Sequence, residues 1–316
     1  YGGRDSTILF LIIALVFFLQ LLFFEKMYKY FILNRFTKVL YLIYWFFYII
    51  VFVVYITYVL TSWVFPNTPN SVLIAIFLFV CFYASVSRPE TAINIGVVLL
   101  PMLVLFILFM LRAIPNLHVT NLLPLFQESK ESWMMGLIYA TYAFGGAESF
   151  IMLRKYVLTG EKIKNKVLAA YSIFLTSFYL FSLLFTLMFF ALEEIKLLPE
   201  PILYILHSQE VTFVKRLDLF FIYIWLSWSL VAIVNYVLMM RLVYFEKKRK
   251  SPKLKLFILF TSLGIISIFL IRFSVLEFFK HYVVYLNIVF TFILPISIII
   301  VNKIRGRTIS ESDASA

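Results

Sequence analysis

Cysteine, histidine and carboxylates are scarce in this sequence. The 316 residues include one cysteine, three histidines and 16 acidic side chains. A single cysteine excludes a disulfide framework and a zinc site built from several thiolates. The sequence has no HExxH, Walker or GxSxG motif, and its histidines are not clustered with carboxylates. We therefore expect no catalytic residues, no metal site, no cofactor and no enzyme activity.

Charge is also sparse, and this determines the class of protein. Charged residues make up 14% of the chain against 63% hydrophobic residues, and the mean hydropathy is +0.99. That composition indicates a polytopic helical membrane protein. A net charge of +12 would suggest nucleic-acid binding in a soluble protein. Here the basic residues lie in short loops between apolar stretches, where membrane topology accounts for them, so we expect no nucleic-acid partner.

Nine apolar stretches are candidates for membrane spans. They cover residues 7–24, 39–65, 71–87, 93–111, 133–153, 167–192, 217–245, 254–273 and 282–301. If the chain crosses the membrane at each stretch, 20 of the 28 Lys and Arg residues fall on one side. The positive-inside rule makes that side cytoplasmic, so the amino end is predicted outside and the carboxyl end inside. The basic loop 246–255 is expected to contact membrane lipid headgroups.

The number of stretches suggests an internal repeat. Five of them follow residue 132 and four precede it, whereas two halves of five would form a complete inverted repeat. We therefore expect an all-α polytopic membrane protein with an inverted five-plus-five helix repeat, about nine spans here, and a first span missing before Tyr1. A genuine nine-span protein is the alternative. The predicted permease-like transmembrane domain is 1–302, with halves 1–132 and 133–302, and a cytoplasmic polar tail follows at 303–316.

The stretch that begins at Trp133 has an unusual middle. Gly145 and Gly146 lie inside it, and Glu148 follows them. An interior glycine costs about 1 kcal/mol relative to alanine, and a carboxylate in lipid costs more. Both are tolerated where the chain faces protein or a polar cavity. We therefore predict a broken helix at the membrane midplane, the arrangement with which inverted-repeat transporters hold small polar ligands.

Two other interpretations of these residues stay open. The pair Gly145 and Gly146 could instead allow close packing of helices. The carboxylate of Glu148 could reach the inner membrane interface near Arg154 and Lys155.

Two further stretches carry polar side chains that could face a ligand. Tyr223 and Ser227 are four residues apart and share a helix face. Tyr48 follows Tyr41 and Tyr44 at helical spacing, which makes a tyrosine-lined stripe possible. Since aromatic residues make up 20% of the chain, ordinary packing also accounts for any one tyrosine.

The long outer loops 112–132 and 193–216 have two interpretations. Each is either a solvated connection or a lid over an outward-facing site. Pro201 is well placed to begin a short helix over residues 202–206.

The run KRLDLFFIYIW at 215–225 resembles the Arg-Leu-Asp, aromatic, Trp signature of the spore germination permease family, the B subunits of nutrient germinant receptors. The Pro-Asn-Thr-Pro turn at 66–69 and the Leu-Leu-Pro at 122–124 also match. The segment 144–148 is similar, although it ends in Ala-Glu where the family tends to have Gly-Glu.

The family is similar to amino acid, polyamine and organocation transporters. This resemblance implies ten spans and a site between the first, third, sixth and eighth. The stretches 39–65, 133–153 and 217–245 would be the third, sixth and eighth. The expected ligand-binding residues are Phe144, Gly145, Gly146, Glu148, Tyr223, Ser227 and Tyr48.

The resemblance also implies a function. The protein would be a germinant-sensing subunit in the inner membrane of the bacterial endospore. It would bind a small nutrient such as an amino acid and act with an A-type membrane subunit and a C-type lipoprotein. The alternative is an amino acid or organic cation permease that carries out coupled transport. Coupled transport needs titratable groups at the midplane, and Glu148 is the one found inside a stretch.

Overall fold

The structure is a computed structural model, and it describes residues 2–154, 162–209, 216–244, 253–273 and 276–308. Regular secondary structure within these residues is helical throughout. Helices satisfy every backbone hydrogen bond inside one segment, which lipid requires of a spanning chain. The α-helices are α1 (Ser6–Met27), α2 (Arg35–Trp63), α3 (Asn70–Val86), α4 (Pro89–Leu99), α5 (Pro101–Leu111), α6 (Lys130–Ala140), α7 (Ala147–Arg154), α8 (Asn165–Phe189), α9 (Leu192–Leu197), α10 (Pro201–His207), α11 (Leu217–Tyr244), α12 (Lys253–Arg272), α13 (Leu276–Asn287) and α14 (Leu294–Ile304).

Seven helical segments of the described chain are long and apolar enough to cross a membrane. They are Gly3–Tyr30, Arg35–Trp63, Ile93–Leu111, Asn165–Phe189, Leu217–Tyr244, Lys253–Arg272 and Phe279–Ile304. Of the two other predicted stretches, one is the apolar helix α3, with 17 residues, and the second is interrupted between α6 and α7. The predicted class, an all-α polytopic membrane protein, is confirmed.

The long helices are apolar on all sides, as expected when one face meets protein and the other meets lipid. In α1, Phe17 is 2% exposed, whereas Leu15 is 60% exposed. Residues that favour the start of a helix lie at the helix ends. The Asn34 side chain accepts a hydrogen bond from the Thr37 N–H at the start of α2. Pro201 occupies the first position of α10, so the predicted short helix is confirmed.

The chain divides into two compact units. The first contains residues 1–33, 110–211 and 284–316, and the second contains 34–109 and 212–283. Each predicted half of the sequence contributes to both units. The inverted-repeat relation between those halves stays a prediction.

Helix α1 is central to the first unit, where it packs against α6, α7 and α8. Helix α10 also packs against α8. In the second unit α11 packs against α2, α3 and α4, and α12 packs against α2 and α3. Aromatic side chains fill much of this second core, where Tyr41, Tyr44 and Trp45 of α2 are at most 2% exposed.

Several sequence predictions concern residues outside the described part of the chain. These residues are Lys155, Lys215, most of the basic loop 246–255, and the end of the polar tail from residue 309.

Candidate functional site

The predicted helix break is present at the glycine pair. Helix α6 ends at Ala140, a 3-10 turn covers Thr141–Phe144, and α7 begins at Ala147. Between them Gly145 has φ −56° and ψ 143°, and Gly146 has φ 96°. The chain therefore leaves the helix for two residues and then re-enters it.

Each glycine is required for a different reason. Gly146 has a φ in the left-handed region, which residues with a Cβ rarely adopt. Gly145 has an ordinary φ, but a Cβ there would lie 2.8 Å from Asn287 Oδ1 and 3.2 Å from the Tyr142 carbonyl oxygen. The pair therefore permits both a left-handed backbone conformation and the close approach of a side-chain amide.

A buried polar cluster lies beside the break. Glu148 is 0% exposed, and one of its carboxylate oxygens accepts a 2.8 Å hydrogen bond from the Thr291 hydroxyl. That hydroxyl oxygen is also 3.1 Å from Asn287 Oδ1, and Asn287 Nδ2 donates to the Thr141 carbonyl oxygen. The cluster thus links the two sides of the break. Glu148 is therefore enclosed by protein, and its depth in the membrane stays a prediction.

The cluster continues to α1 through an irregular turn. Residues Ile288–Ile293 form a π-helix, a distortion that frequently occurs at functional sites. Gln20 of α1 donates from Nε2 to the carbonyl oxygen of Thr291 within this turn, at 2.6 Å. Gln20 Oε1 is buried and has no hydrogen-bond partner among the residues described. A buried amide oxygen of this kind can accept a hydrogen bond from a ligand or a water molecule.

Phe144 anchors the break to neighbouring helices by aromatic packing. Its ring centroid is 5.1 Å from that of Phe10 and 4.8 Å from that of Phe17, both on α1. Tyr179 of α8 contacts it edge-on at 6.4 Å. Phe144 is 1% exposed, so in this structure the ring holds the break in place.

The other predicted site residues belong to the second unit. The Ser227 hydroxyl donates to the Tyr223 carbonyl oxygen within α11, and the Tyr223 side chain is 61% exposed. The Tyr48 ring packs 4.7 Å from that of Tyr236 and 6.0 Å from that of Tyr44. A role for Tyr223, Ser227 or Tyr48 in ligand binding stays a prediction.

Three residues of the polar cluster were missed by reasoning from sequence. Gln20 is an amide inside the first apolar stretch, and Asn287 and Thr291 lie one helical turn apart in the last one. Each is a polar side chain at membrane depth, which is a sufficient signal for a functional hypothesis. The sequence prediction considered Glu148, the glycine pair, the tyrosines and Ser227, and it did not include Gln20, Asn287 or Thr291.

The end of α7 is held by a buried ion pair. Arg154 donates to both carboxylate oxygens of Glu25 on α1, at 2.7 and 2.9 Å, and both side chains are 1% exposed. The Ile163 N–H donates to the same carboxylate, and the Arg154 guanidinium lies 4.6 Å from the Tyr28 ring centroid. The acidic first turn and basic last turn of α7 complement its dipole.

The Arg-Leu-Asp run forms a second structural pair, at the start of α11. Arg216 Nη2 donates to Asp218 at 2.6 Å and to the carbonyl oxygen of Trp63 at the end of α2. Asp218 is 0% exposed. The hydrogen bond to its carboxylate raises the pKa of the Arg216 guanidinium above its ordinary value. This pair therefore fixes where α11 begins against α2.

Comparison with known proteins identifies the family of this chain. A scan against models of protein families matches residues 6–251 to a family described as "Spore germination protein". Searches of curated proteins and of solved structures find no match. The family match covers well over half of the 316 residues. The chain therefore belongs to the spore germination protein family and is a germination-related integral membrane protein.

Proposed function

We propose that this protein is the nutrient-sensing subunit of a spore germination receptor in the inner membrane of the bacterial endospore. It binds a small nutrient such as an amino acid and transmits the resulting change to an A-type membrane subunit and a C-type lipoprotein. Family membership supports the germination role. The broken helix with its buried polar cluster is the single observation that carries the ligand-binding part of the proposal.

The break offers complementary groups to the two charged ends of an amino acid. The N-terminus of α7 presents backbone N–H groups and a positive dipole end, which suit a carboxylate. Glu148, in the first turn of α7, supplies a negative charge for an ammonium group. Thr291 and Asn287 add neutral hydrogen-bonding groups beside it.

Access to this site requires a conformational change. Gly145 is exposed, whereas Glu148, Asn287 and Thr291 are each 0% exposed. Irregular backbone at membrane depth is tolerated where it is buried in protein or lines a water-filled cavity, so the exposed glycine suggests the side from which a ligand enters. A ligand that displaces Thr291 from Glu148 would favour a second conformation. A 100-fold preference for that conformation would supply roughly 2.7 kcal/mol to bias a partner subunit.

Germination of spores that lack the gene tests this proposal. We expect the deletion to abolish the response to at least one amino acid in a panel, and the intact gene to restore it. Glu148→Gln and Thr291→Val should raise the nutrient concentration for half-maximal germination at least tenfold, since the first removes the carboxylate charge and the second removes the hydroxyl that donates to it. Ser149→Ala, at the neighbouring half-buried position, is the matched control, and immunoblots of spore membranes check abundance. Unchanged germination in the deletion strain would overturn the proposal.

Coupled transport is the second candidate, and the burial of Glu148 favours it. A titratable carboxylate fully buried beside a hydroxyl and an amide is the kind of group that proton coupling requires. Uptake by proteoliposomes separates the two candidates. A sensing subunit should bind nutrient saturably without accumulating it. Gradient-driven accumulation, together with normal germination of the deletion strain, would favour the permease.

A further inference from the structure

A cavity of about 450 Å³ lies in the second unit among α2, α11 and α12. Most of its lining is aliphatic or aromatic, with Ile43 from α2, Val237 from α11 and Leu259 from α12. Ile43 is 61% exposed, and Phe257, near the start of α12, is 57% exposed. Exposed apolar side chains on membrane helices face acyl chains, so the cavity is a groove that opens toward lipid.

The polar end of the groove lies where α11 ends and α12 begins. Lys255 is in the first turn of α12, and Arg241 is in the last turn of α11. Leu259 and Val237 are each four residues from these cations on their own helices, which is about 6 Å along an α-helix. The groove therefore has cations at the depth of lipid headgroups and an apolar wall one turn deeper, whichever leaflet faces it.

Both cations are oriented by contacts within the unit. Arg241 Nη1 donates to the carbonyl oxygens of Ser85 and Ser87, at 2.6 and 3.2 Å. Lys255 Nζ lies 5.1 Å from the centre of the Tyr244 ring. The described residues that line the groove include these two cations and no carboxylate. Among the described residues, the polar end of the groove therefore carries two cationic side chains.

We propose that this groove binds one anionic phospholipid. Its phosphate lies between Arg241 and Lys255, and the first methylenes of its acyl chains lie against Ile43, Val237 and Leu259. A basic pocket between membrane helices has the chemistry that acidic lipid headgroups require. A zwitterionic lipid would bring a second positive charge to the two cations, and a soluble phosphate would leave the apolar wall uncovered. The groove therefore selects for a negative headgroup joined to acyl chains.

Lipid retention by the purified full-length protein tests the proposal. The protein is exchanged into detergent, incubated with equal amounts of phosphatidylglycerol and phosphatidylcholine, and examined by native mass spectrometry. Lys255→Gln should weaken phosphatidylglycerol binding about fivefold, which is the loss of affinity expected when one cation is removed from a lipid surface. Lys253→Gln is the matched control, because Lys253 lies on the same helix end and is not a lining residue. Ile43→Trp should fill the space beside the apolar wall and reduce lipid binding without a change of charge. Ile76→Trp, at a 60% exposed position, is its control.

Each outcome decides the question. The proposal predicts selective retention of phosphatidylglycerol, loss in Lys255→Gln and Ile43→Trp, retention in both controls, and no competition by millimolar glycerol phosphate. Equal retention of the two lipids, or equal effects of Lys255→Gln and Lys253→Gln, would overturn it. Displacement of the lipid by glycerol phosphate would show a simple anion site and would also overturn it. Raised salt should reduce the selectivity, because the headgroup contact is electrostatic.

Discussion

Alanine at Gly145 should destabilise the protein mainly through its contact with Asn287. The new Cβ would lie 2.8 Å from Asn287 Oδ1, a distance at which the amide must move. Two hydrogen-bonding contacts would lengthen as a result, the 3.2 Å contact of Nδ2 with the Thr141 carbonyl oxygen and the 3.1 Å contact of Oδ1 with Thr291. The Nδ2 contact is a buried hydrogen bond, and the Thr291 hydroxyl shares its one proton between Glu148 and Asn287, so disturbing the two contacts should cost about 1–3 kcal/mol.

Alanine at Gly146 should reduce the stability of the protein by about the same amount, for a different reason. Its φ of 96° strains any residue with a Cβ, at about 1–3 kcal/mol, and that strain does not involve Asn287. Asn287→Ala should therefore rescue Gly145→Ala in part and leave Gly146→Ala unrescued. The remaining 3.2 Å contact of the new Cβ with the Tyr142 carbonyl oxygen keeps the rescue incomplete.

The different response of the two glycine variants to Asn287→Ala can be measured in purified protein from apparent Tm values at one fixed heating rate. Each single glycine variant should lower the Tm by several degrees, at about 2–4 °C per kcal/mol. A double-mutant cycle should give a coupling of about 1–2 kcal/mol between Gly145→Ala and Asn287→Ala. The same cycle with Gly146→Ala should give a coupling within about 0.5 kcal/mol of zero. Equal coupling in the two cycles would refute the separate roles assigned to the glycines.

The remaining predictions concern the two buried carboxylates near the ends of α1 and the topology of the chain. Arg154→Met should destabilise the protein by about 3–5 kcal/mol because it leaves the buried Glu25 carboxylate without its counter-ion. Adding Glu25→Leu removes that buried charge and should recover most of the lost Tm. Asp5 accepts hydrogen bonds from the Phe126 N–H and the Trp133 indole, so Asp5→Asn should cost about 1.5–3 kcal/mol of stability, read from chemical denaturation. A cysteine at Asn67 should react with an impermeant reagent in intact cells, and protection of that cysteine would reverse the predicted orientation.

The positions of the helices followed from the sequence because lipid imposes a simple rule. An apolar stretch of sufficient length must be helical, so the nine stretches could be marked before the structure was known. The break at Gly145 and Gly146 was also predictable, since two poor helix formers beside Glu148 conflict with a plain span. The same reasoning placed the start of α10 at Pro201.

The partners of the site were not predictable, because they come from distant parts of the chain. Nothing local to Glu148 indicates that Thr291, in the last apolar stretch, donates to it. Arg154 was expected near the inner membrane interface, and the sequence around it gives no sign that it pairs with Glu25 of the first helix. The steric reason for Gly145 likewise depends on Asn287, and helix propensity alone gives no sign of it.

Nutrient binding by purified full-length protein, with and without the Glu148 charge, tests the central claim most directly. Isothermal titration calorimetry with a panel of amino acids should show saturable binding of at least one of them to the wild-type protein. Glu148→Gln should weaken that affinity at least tenfold, while Ser149→Ala should bind as the wild type does. Binding of equal affinity in wild type and Glu148→Gln would contradict the assignment of the nutrient site to the helix break.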